Sequence, residues 1–362
     1  PPRSTLFPYT TLFRSDGILD EILSQDKEAR VAIECLIKDD LFIIAGEVTS
    51  TASIIYENVA KTVLTDIGLD PTIYKFIVKV SEQSNDIKQG VDQLGAGDQG
   101  IMYGYATKET KESLPLPYIC SKNIARRMDE VSREHQDIFG LDGKCQVTLV
   151  YGDDEKAIHA STIVVSAQTK PGIGREDYEP YIRDVIDEVI PSYLVDASTL
   201  ILINPTGEFV KGGSFADSGL TGRKLQVDTY GSIVPHGGGA FSGKDYTKVD
   251  RSGAYYCRYV AKALVKAGLV DSAEVNVAYA IGVPFPIAID VKAKESRFSN
   301  DELRTVINKV FDFSPSNIIK ELKLKEVSYH PLSEYGHFGW ELYPWETISD
   351  EIIEKLKESV SG

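Results

Sequence analysis

The stretch that decides the fold spans residues 204–266 and reads NPTGEFVKGGSFADSGLTGRKLQVDTYGSIVPHGGGAFSGKDYTKVDRSGAYYCRYVAKALVK. Eleven of the chain's 29 glycines lie between Pro205 and Tyr255. Glycine at that density is costly, because it loses more backbone freedom on folding than any other residue. It is usually retained where the backbone turns sharply or approaches a ligand closely. The run GGGAFSGKD at Gly237–Asp245 is therefore predicted to be a loop of that kind.

The same stretch is locally basic within an acidic protein. The whole chain has 39 Lys and Arg against 54 Asp and Glu, whereas residues 205–258 contain seven cations and five acids. Backbone N–H groups and basic side chains bind phosphates, and interspersed carboxylates can hold Mg²⁺ together with phosphates. The pattern favours a site for a small polyanion over a solvated surface with flexible turns. It is not the P-loop motif, because Asp245 follows Lys244 and the glycine spacing differs.

Four segments resemble the S-adenosylmethionine synthetase family. GGGAFSGKD is similar to its second signature and GAGDQGIMYGY at Gly95–Tyr105 to its first, whose glycines suggest a tight turn near a ligand or a subunit boundary. DSGLTGRK at Asp217–Lys224 and KVDRS at Lys248–Ser252 match as well, and the resemblance runs from about Asp16 to Trp345. It implies an enzyme that joins ATP and L-methionine into S-adenosylmethionine and cleaves the released triphosphate to phosphate and pyrophosphate.

Composition narrows the class of protein. A chain of 362 residues with 42% hydrophobic residues can bury a large core, and two or three subdomains are expected. The formal charge of −15 argues against nucleic acid as a partner. The sequence contains no run of about 18 apolar residues, so it predicts no membrane span. Four scattered cysteines without a CxxC pair indicate reduced thiols and a cytoplasmic protein.

A helix–strand–strand–helix–strand order recurs three times along the chain. The hydrophobic periodicity predicts helices at 16–24, 52–67, 121–134, 177–190, 251–267 and 301–311 and strands at 30–38, 41–48, 74–80, 146–151, 157–168, 199–203, 273–283, 286–293 and 326–329. A capping box is expected at Ser299 and Glu302. The predicted fold class is α+β, with three similar subdomains of mixed strands and helices at 16–90, 95–211 and 212–349. The resemblance implies that pseudo-threefold symmetry relates them.

Residues 1–15, PPRSTLFPYTTLFRS, do not fit this pattern. We interpret them as a foreign or disordered segment, and a divergent natural N-terminus is the alternative. The family carries a Gly-His-Pro-Asp-Lys motif upstream of the position of Asp16, whose His aids triphosphate departure and whose Asp binds Mg²⁺. That motif is missing, and none of the five His lies in a matching context. We therefore expect impaired turnover from the chain as written.

The resemblance assigns an ATP site. Arg223, Lys224 and Lys244 would grip the triphosphate, with Arg223, Lys244 and Lys156 as catalytic residues. The other predicted ATP contacts are Asp154, Phe209, Asp217 and Ala240. From the residues alone, Asp154 and Lys156 would form an ordinary hairpin turn, and Phe209 would be a core aromatic.

The resemblance also assigns methionine and metal sites. Methionine would contact Glu47, Gln89, Asp217 and Lys248. Asp250 would bind Mg²⁺, with two Mg²⁺ expected in each site, although Asp is also a common helix N-cap. Glu34 would bind K⁺, or else face water from an edge strand, since burying an unpaired carboxylate is costly.

The family's active site lies between two subunits, so a homodimer, often paired into a tetramer, is implied. The loop at Gly90–Leu94 is short, and Trp340 stands where many members have Arg. A Mg²⁺-dependent triphosphatase and an inactive homologue that acts as a binding or assembly partner are the alternative functions.

Overall fold

Three sheets carry the fold in the computed structural model, which describes residues 3–8, 15–83 and 95–361. The strands are β1 Arg3–Pro8, β2 Arg30–Lys38, β3 Leu41–Thr49, β4 Lys75–Ser81, β5 Gly100–Thr107, β6 Phe139–Tyr151, β7 Ala157–Thr169, β8 Leu200–Ile203, β9 Gly219–Leu220, β10 Ser272–Tyr279 and β11 Ala288–Lys294. The α-helices are α1 Ser15–Gln25, α2 Tyr56–Asp66, α3 Leu116–Glu134, α4 Arg175–Val189, α5 Leu225–Asp228, α6 Val249–Lys266, α7 Asn300–Val310, α8 Pro315–Glu321 and α9 Asp350–Ser361. Short 3₁₀ turns lie at Pro71–Ile73, Ser192–Leu194, Gly213–Phe215, Leu324–Glu326, His330–Ser333 and Pro344–Glu346.

Each sheet includes a strand from a distant part of the sequence. The sheet orders are β4-β3-β2-β9, β1-β6-β7-β8 and β11-β10-β5. The β3–β4 and β7–β8 pairs are parallel, and the other pairs are antiparallel. Strands β9, β1 and β5 therefore connect the three parts of the chain through backbone hydrogen bonds.

Alternating burial explains why β2 forms. Val31, Ile33, Cys35 and Ile37 are buried, whereas the residues between them are half-buried or exposed. Side chains alternate across a strand with a period of two, so one face of β2 enters the core. Helix α1 covers that face with Ile18, among other apolar residues. The opposite face of the sheet remains accessible.

Helix α6 is the central element of the core. Every residue from Val249 to Leu264 except Asp250 is buried. A helix that is buried on all sides must lie inside the core, and α6 packs against β5 and β10. Gly104 allows this close approach, because a Cβ there would lie 2.0 Å from the carbonyl carbon of Cys257.

The structure corrects three expectations about local structure. Residues 3–8, expected in a foreign or disordered segment, are not disordered, because they form β1 and pair with β6. The glycine-rich segment at 95–105 does not form only a turn, because Gly100–Thr107 is strand β5. The strand predicted at 326–329 is wrong. The backbone N–H groups of Tyr329 and His330 donate to the Asp20 carboxylate at 2.9 Å each, so a side chain binds the amides that a ladder would need.

The other predicted helices and strands are present with shifted ends. The largest shifts are at α3, which begins at Leu116, and at β6, which begins at Phe139. The capping box of Ser299 and Glu302 is confirmed at the start of α7. Among the described residues, no helix is long and apolar enough to cross a membrane.

Substituting Gly104 by Ala should lower the free energy of unfolding by about 3 kcal/mol, because the new methyl group would overlap the α6 backbone. Gly253→Ala at the same interface is the matched control. Its Cβ would meet only side-chain atoms of Tyr279 and Met102, at 3.2 and 3.3 Å, and alanine favours a helix. Its effect should stay within about 1 kcal/mol. Denaturant unfolding measures both, and equal losses would contradict this account.

Candidate active site

The edge of β2 holds the turn that carries Arg223 and Lys224. Strand β9 pairs with β2 at Leu36. Thr221 then continues the contact, since its backbone N–H donates to Cys35 O at 3.0 Å and its Oγ1 accepts the Cys35 N–H at 2.9 Å. The two predicted phosphate-binding cations follow directly, with Arg223 exposed and Lys224 half-buried.

The same edge holds the Gly-rich loop, which we define as residues 236–245. The Ile33 N–H donates to Gly243 O at 2.9 Å, and the Val31 N–H donates to the Asp245 carboxylate at 2.7 Å. Gly243 has a φ of +80°, and a Cβ there would lie 1.9 Å from Ile33 O. Only glycine permits this backbone to lie against β2.

A buried carboxylate fixes the base of the loop. Asp16 on α1 accepts the Gly243 N–H at 2.7 Å and the Arg251 guanidinium at 2.5 Å. Arg251 also donates to Lys244 O at 2.9 Å. Burial raises the pKa of Asp16, and the charge of Arg251 acts against that rise. Sequence reasoning missed this pair, because 235 residues separate its members.

Lys244 and Asp250 form an ion pair at the mouth of the loop. The Lys244 Nζ lies 2.5 Å from Asp250 Oδ2. Asp250 is inside the first turn of α6, whose N-cap is Lys248, so the alternative that Asp250 caps the helix is wrong. Gly239 lies so close that a Cβ there would be 2.0 Å from Asp250 Oδ1. The sequence-predicted cation and carboxylate are therefore brought together.

The loop borders a small cavity that sequence reasoning did not find. Its walls include His236, Gly239, Phe241 and Asp250 on one side and Tyr103 of β5 on the other. The Gly238 N–H donates to His236 Nδ1 at 2.9 Å, so the ring is neutral with its proton on Nε2. Burial lowers the pKa of His236, and the Asp250 charge opposes that shift. The only sequence signal was the position of His236 beside three glycines.

Lys248 is a buried cation without a hydrogen-bond partner among the described residues. Its Nζ lies 3.9 Å from Asp245 Oδ2, which is too far for a hydrogen bond. A buried ammonium without a hydrogen bond is costly. The arrangement therefore suits an anionic or polar substrate group, in keeping with the predicted substrate contact.

Glu34 and Glu47 lie near Lys244 on the accessible face of the β2 sheet. Ala32 is paired with Glu47 of β3 on one side and with Lys244 on the other. Directly opposed residues project on the same face of a sheet. Glu34, two residues along β2, projects on that face and is exposed, so it needs no buried partner. The K⁺ role of Glu34 and the methionine role of Glu47 stay predictions.

Asp154 and Lys156 lie in the exposed turn between β6 and β7. Lys156 Nζ is 3.1 Å from Asp154 Oδ2, and the Lys156 N–H donates to Asp154 Oδ1 at 3.2 Å. Hydrogen bonds to Lys156 lower the pKa of Asp154. Within the described ranges, these side chains bond to each other and not to the Gly-rich loop. The hairpin-turn interpretation is confirmed, and the nucleotide role stays a prediction.

The remaining candidates lie along the same stretch or outside the described residues. Ala240 faces the turn before Arg223, since a Cβ on Gly222 would lie 2.3 Å from Ala240 Cβ. Asp217 is exposed, and Phe209 is half-buried rather than part of the central core. Gln89 and the short loop that follows it fall outside the described residues.

The carboxylate beside the Gly-rich loop, Asp250, suits a metal ion that takes most of its ligands from phosphate. Among the described residues, no group of three or more His, Cys, Asp or Glu side chains could hold a metal ion. Mg²⁺ commonly uses one or two carboxylates and completes its shell with phosphate and water. Asp250 beside Lys244 fits that mode.

Substituting Gly239 by Ala should weaken the binding of inorganic tripolyphosphate with Mg²⁺ at least about tenfold, because the methyl group would displace Asp250 and its ion pair with Lys244. Gly172→Ala is the control: its Cβ meets nothing within 4 Å, and the strain that it adds at a φ of +81° lies in the turn before α4 and not in the Gly-rich loop. Calorimetric titration measures the affinity. An unchanged affinity in Gly239→Ala would show that Asp250 has no part in the site.

Comparison with known proteins identifies the family. Three S-adenosylmethionine synthetase domain models match the chain: the N-terminal domain at residues 13–91, the central domain at 93–209 and the C-terminal domain at 211–347. The S-adenosylmethionine synthase of Thermus thermophilus is 45% identical over 358 residues, which cover 92% of this chain and 90% of that protein. The Petrotoga mobilis enzyme of the same name is 42% identical over 376 residues, covering 95% and 92%.

A solved structure agrees with these sequence matches. The structure of an unusual S-adenosylmethionine synthetase from Campylobacter jejuni superposes with a TM-score of 0.91 at 34% identity, covering 98% of this chain and 99% of that one. This match confirms the predicted α+β class with three domains. Since all three domains and nearly the whole length match, this transferase belongs to the S-adenosylmethionine synthetase family.

Proposed function

We propose that the chain forms S-adenosylmethionine from ATP and L-methionine and hydrolyses the released triphosphate to phosphate and pyrophosphate. The observation that carries the proposal is the alignment of the Arg223–Lys224 turn and the Gly-rich loop along one edge of β2. Two cation-bearing segments at fixed spacing suit a linear polyphosphate. The family membership supplies the reaction.

The main requirement of the proposed reaction is to stabilise the charged leaving group. The methionine sulfur is a neutral nucleophile, and its attack on C5′ of ATP releases a triphosphate with several negative charges. Positioned cations stabilise such charge in the transition state better than in free solution. Arg223, Lys224 and Lys244 are assigned to this task, with Lys156 added to the catalytic set.

The other predicted site residues are divided between the two substrates. Asp154, Phe209, Asp217 and Ala240 would contact the nucleotide. Glu47, Gln89, Asp217 and Lys248 would bind methionine. The buried Lys248 ammonium has no hydrogen bond among the described residues, which supports its role as a substrate contact.

Two kinds of cation complete the proposed site. Asp250 would hold Mg²⁺, two ions to each site, and Glu34 would hold K⁺. When bound, Mg²⁺ neutralises charge on the phosphates.

We further propose a homodimer, alone or paired into a tetramer, with active sites between subunits. Asp154 and Lys156 make no side-chain bond to the Gly-rich loop within the described protomer, so a second copy can supply them. Ile77 is 49% exposed on the β2 sheet face that carries Glu34 and Glu47.

The four cysteines are buried and unbridged, which supports the proposed cytoplasmic location.

Assay of the chain with ATP, Mg²⁺ and K⁺ should give S-adenosylmethionine and phosphate release that both depend on methionine. Lys244→Met should slow this at least about 100-fold, because it removes a cation from the developing triphosphate. Lys266→Met, an exposed lysine at the end of α6, is the control and should leave the rate unchanged. Phosphate release without methionine or product would favour the triphosphatase, and absence of both activities would favour a binding or assembly protein.

We also propose that residues 1–15 limit the rate, because they contain no His and no Asp. Replacing them with a family-type segment that includes Gly-His-Pro-Asp-Lys should raise turnover at least about 100-fold, the usual scale for one acid–base group. The comparison uses single-turnover rates of both chains at equal protein concentration. Equal rates would refute the impairment.

A further inference from the structure

Lys122, a buried lysine on α3, binds residues 336–340, which support the Gly-rich loop and the turn that carries Arg223 and Lys224. Lys122 is 4% exposed. Its Nζ donates to Phe338 O at 3.0 Å and lies 3.7 Å from the centre of the Trp340 ring. The ring face and the carbonyl both favour the charged ammonium. Trp340 is also the position at which this chain departs from the Arg of many family members.

The 336–340 segment, which reads GHFGW, is held in one conformation. The Trp340 Nε1–H donates to Gly336 O at 2.8 Å and closes the segment on itself. The Gly339 N–H donates to the buried Glu346 carboxylate at 2.9 Å. Gly336 has a φ of +83°. Lys122 therefore holds a rigid unit and not a loose loop.

This segment supports the Gly-rich loop from below. The Phe241 ring packs edge-on against His337 at 5.1 Å and against Phe338 at 6.3 Å. Phe241 O accepts the Lys244 N–H at 3.2 Å, so it closes the turn that carries the ammonium. Tyr255 fixes the His337 ring through a 2.7 Å hydrogen bond to Nδ1.

The same segment also supports the turn that carries Arg223 and Lys224. The His337 N–H donates to Asp228 O at 2.9 Å, and Phe338 stacks on Tyr230 at 4.9 Å. The Asp228 N–H donates to Lys224 O at 3.0 Å. The 336–340 segment is thus a common base for the two groups of cations.

We propose that Lys122 is a positioning residue of the polyphosphate site, which acts through Phe338 and Trp340 to set the spacing between Lys224 and Lys244. The inference rests on the proposed function, since it concerns the affinity of the same site. Lys122 touches no substrate atom. Its ammonium holds the common base, and its loss lets the two cation-bearing turns move independently.

The charge on Lys122 is sensitive to pH near neutrality. Burial lowers its pKa to about 7, with the carboxylates of Glu346 and Glu112 opposing and the charges of Arg126 and Arg258 adding to the shift. His337 also faces Lys122, and burial holds its pKa well below the usual range, so it adds no charge at neutral pH. Only the protonated lysine binds the Trp340 ring as a cation. Polyphosphate affinity should therefore fall as the pH rises through about 7.

The test titrates the full chain with inorganic tripolyphosphate and Mg²⁺ between about pH 6 and 9. Wild type should lose about tenfold in affinity across that range. Lys122→Met should be about tenfold weaker at the acid end and independent of pH beyond the change that the ligand itself causes. Lys122→Arg should bind tightly throughout, because a guanidinium stays charged and suits a Trp face. Arg127→Met is the control and should behave as wild type, because this half-buried cation of the same helix pairs with Glu130 and Glu188 and not with the 336–340 segment.

Tryptophan emission provides a readout that a purely structural role would not move. The chain has two Trp, and Trp340→Phe assigns the signal of Trp340 by difference. That signal should change with pH near 7 and again when tripolyphosphate binds, and Lys122→Met should abolish both changes. If Lys122→Met does not fold, Trp340→Leu removes the ring and should give the same loss of affinity.

Two results would overturn the positioning role. One is a Lys122→Met protein with wild-type affinity and pH dependence, and the other is Trp340 emission that ignores the ligand. The failure of the proposed function is distinguishable, because wild type would then bind no tripolyphosphate at any pH.

Discussion

The Asp16 carboxylate is the interaction on which the site depends. It is buried, and it binds both the Gly243 N–H and the Arg251 guanidinium, so it joins α1, the Gly-rich loop and α6 at one point. Breaking a buried ion pair by removing one partner costs about 3–5 kcal/mol, because the other charge is left unpaired. That penalty keeps the loop attached to the first sheet. Without Asp16, residues 243–245 would keep their strand-edge hydrogen bonds and the bond from Arg251 to Lys244 O, but the Gly243 N–H and the Arg251 charge would lose their buried partner.

Strand β2 determines the spacing of the segments that are attached along its edge. Its inner face is part of the core, and its edge binds Thr221, Gly243 and Asp245 in succession. A strand rises by about 3.3 Å per residue, so residues bound along its edge keep a defined spacing. The cations that we propose to bind phosphate therefore take their spacing from this strand. Glycine at 243 is required, since any side chain would collide with the strand.

The two lysines of the Gly-rich loop and the start of α6 suit the proposed anion site without being exposed, since Lys244 is half-buried and Lys248 is buried. Lys244 is paired with Asp250, whereas the buried Lys248 ammonium has only a 3.9 Å ion pair with Asp245 and no hydrogen bond within the described residues. In the proposed function, Mg²⁺ and a polyphosphate would replace the contact between Lys244 and Asp250, and a substrate group would hydrogen-bond to Lys248. The aromatic rings of Phe241 and Phe338 and the His337 ring support this loop, and Lys122 connects them to α3. Binding and core packing therefore share one set of side chains.

The sequence by itself determined six of the helices, eight of the strands, the Gly-rich loop and the family, because periodicity, glycine density and long motifs are local signals. It also predicted Lys244 and Asp250 as members of one site. It could not show that β5 joins a distant sheet, that residues 326–329 bind Asp20 instead of forming a strand, or that Asp250 lies inside a helix turn rather than at its cap. Only the tertiary structure brought Asp16 to Arg251, His236 to the cavity wall and Lys122 to Trp340. These contacts join residues separated by more than a hundred positions or by a change of chain direction, and no local pattern encodes which distant surfaces will meet.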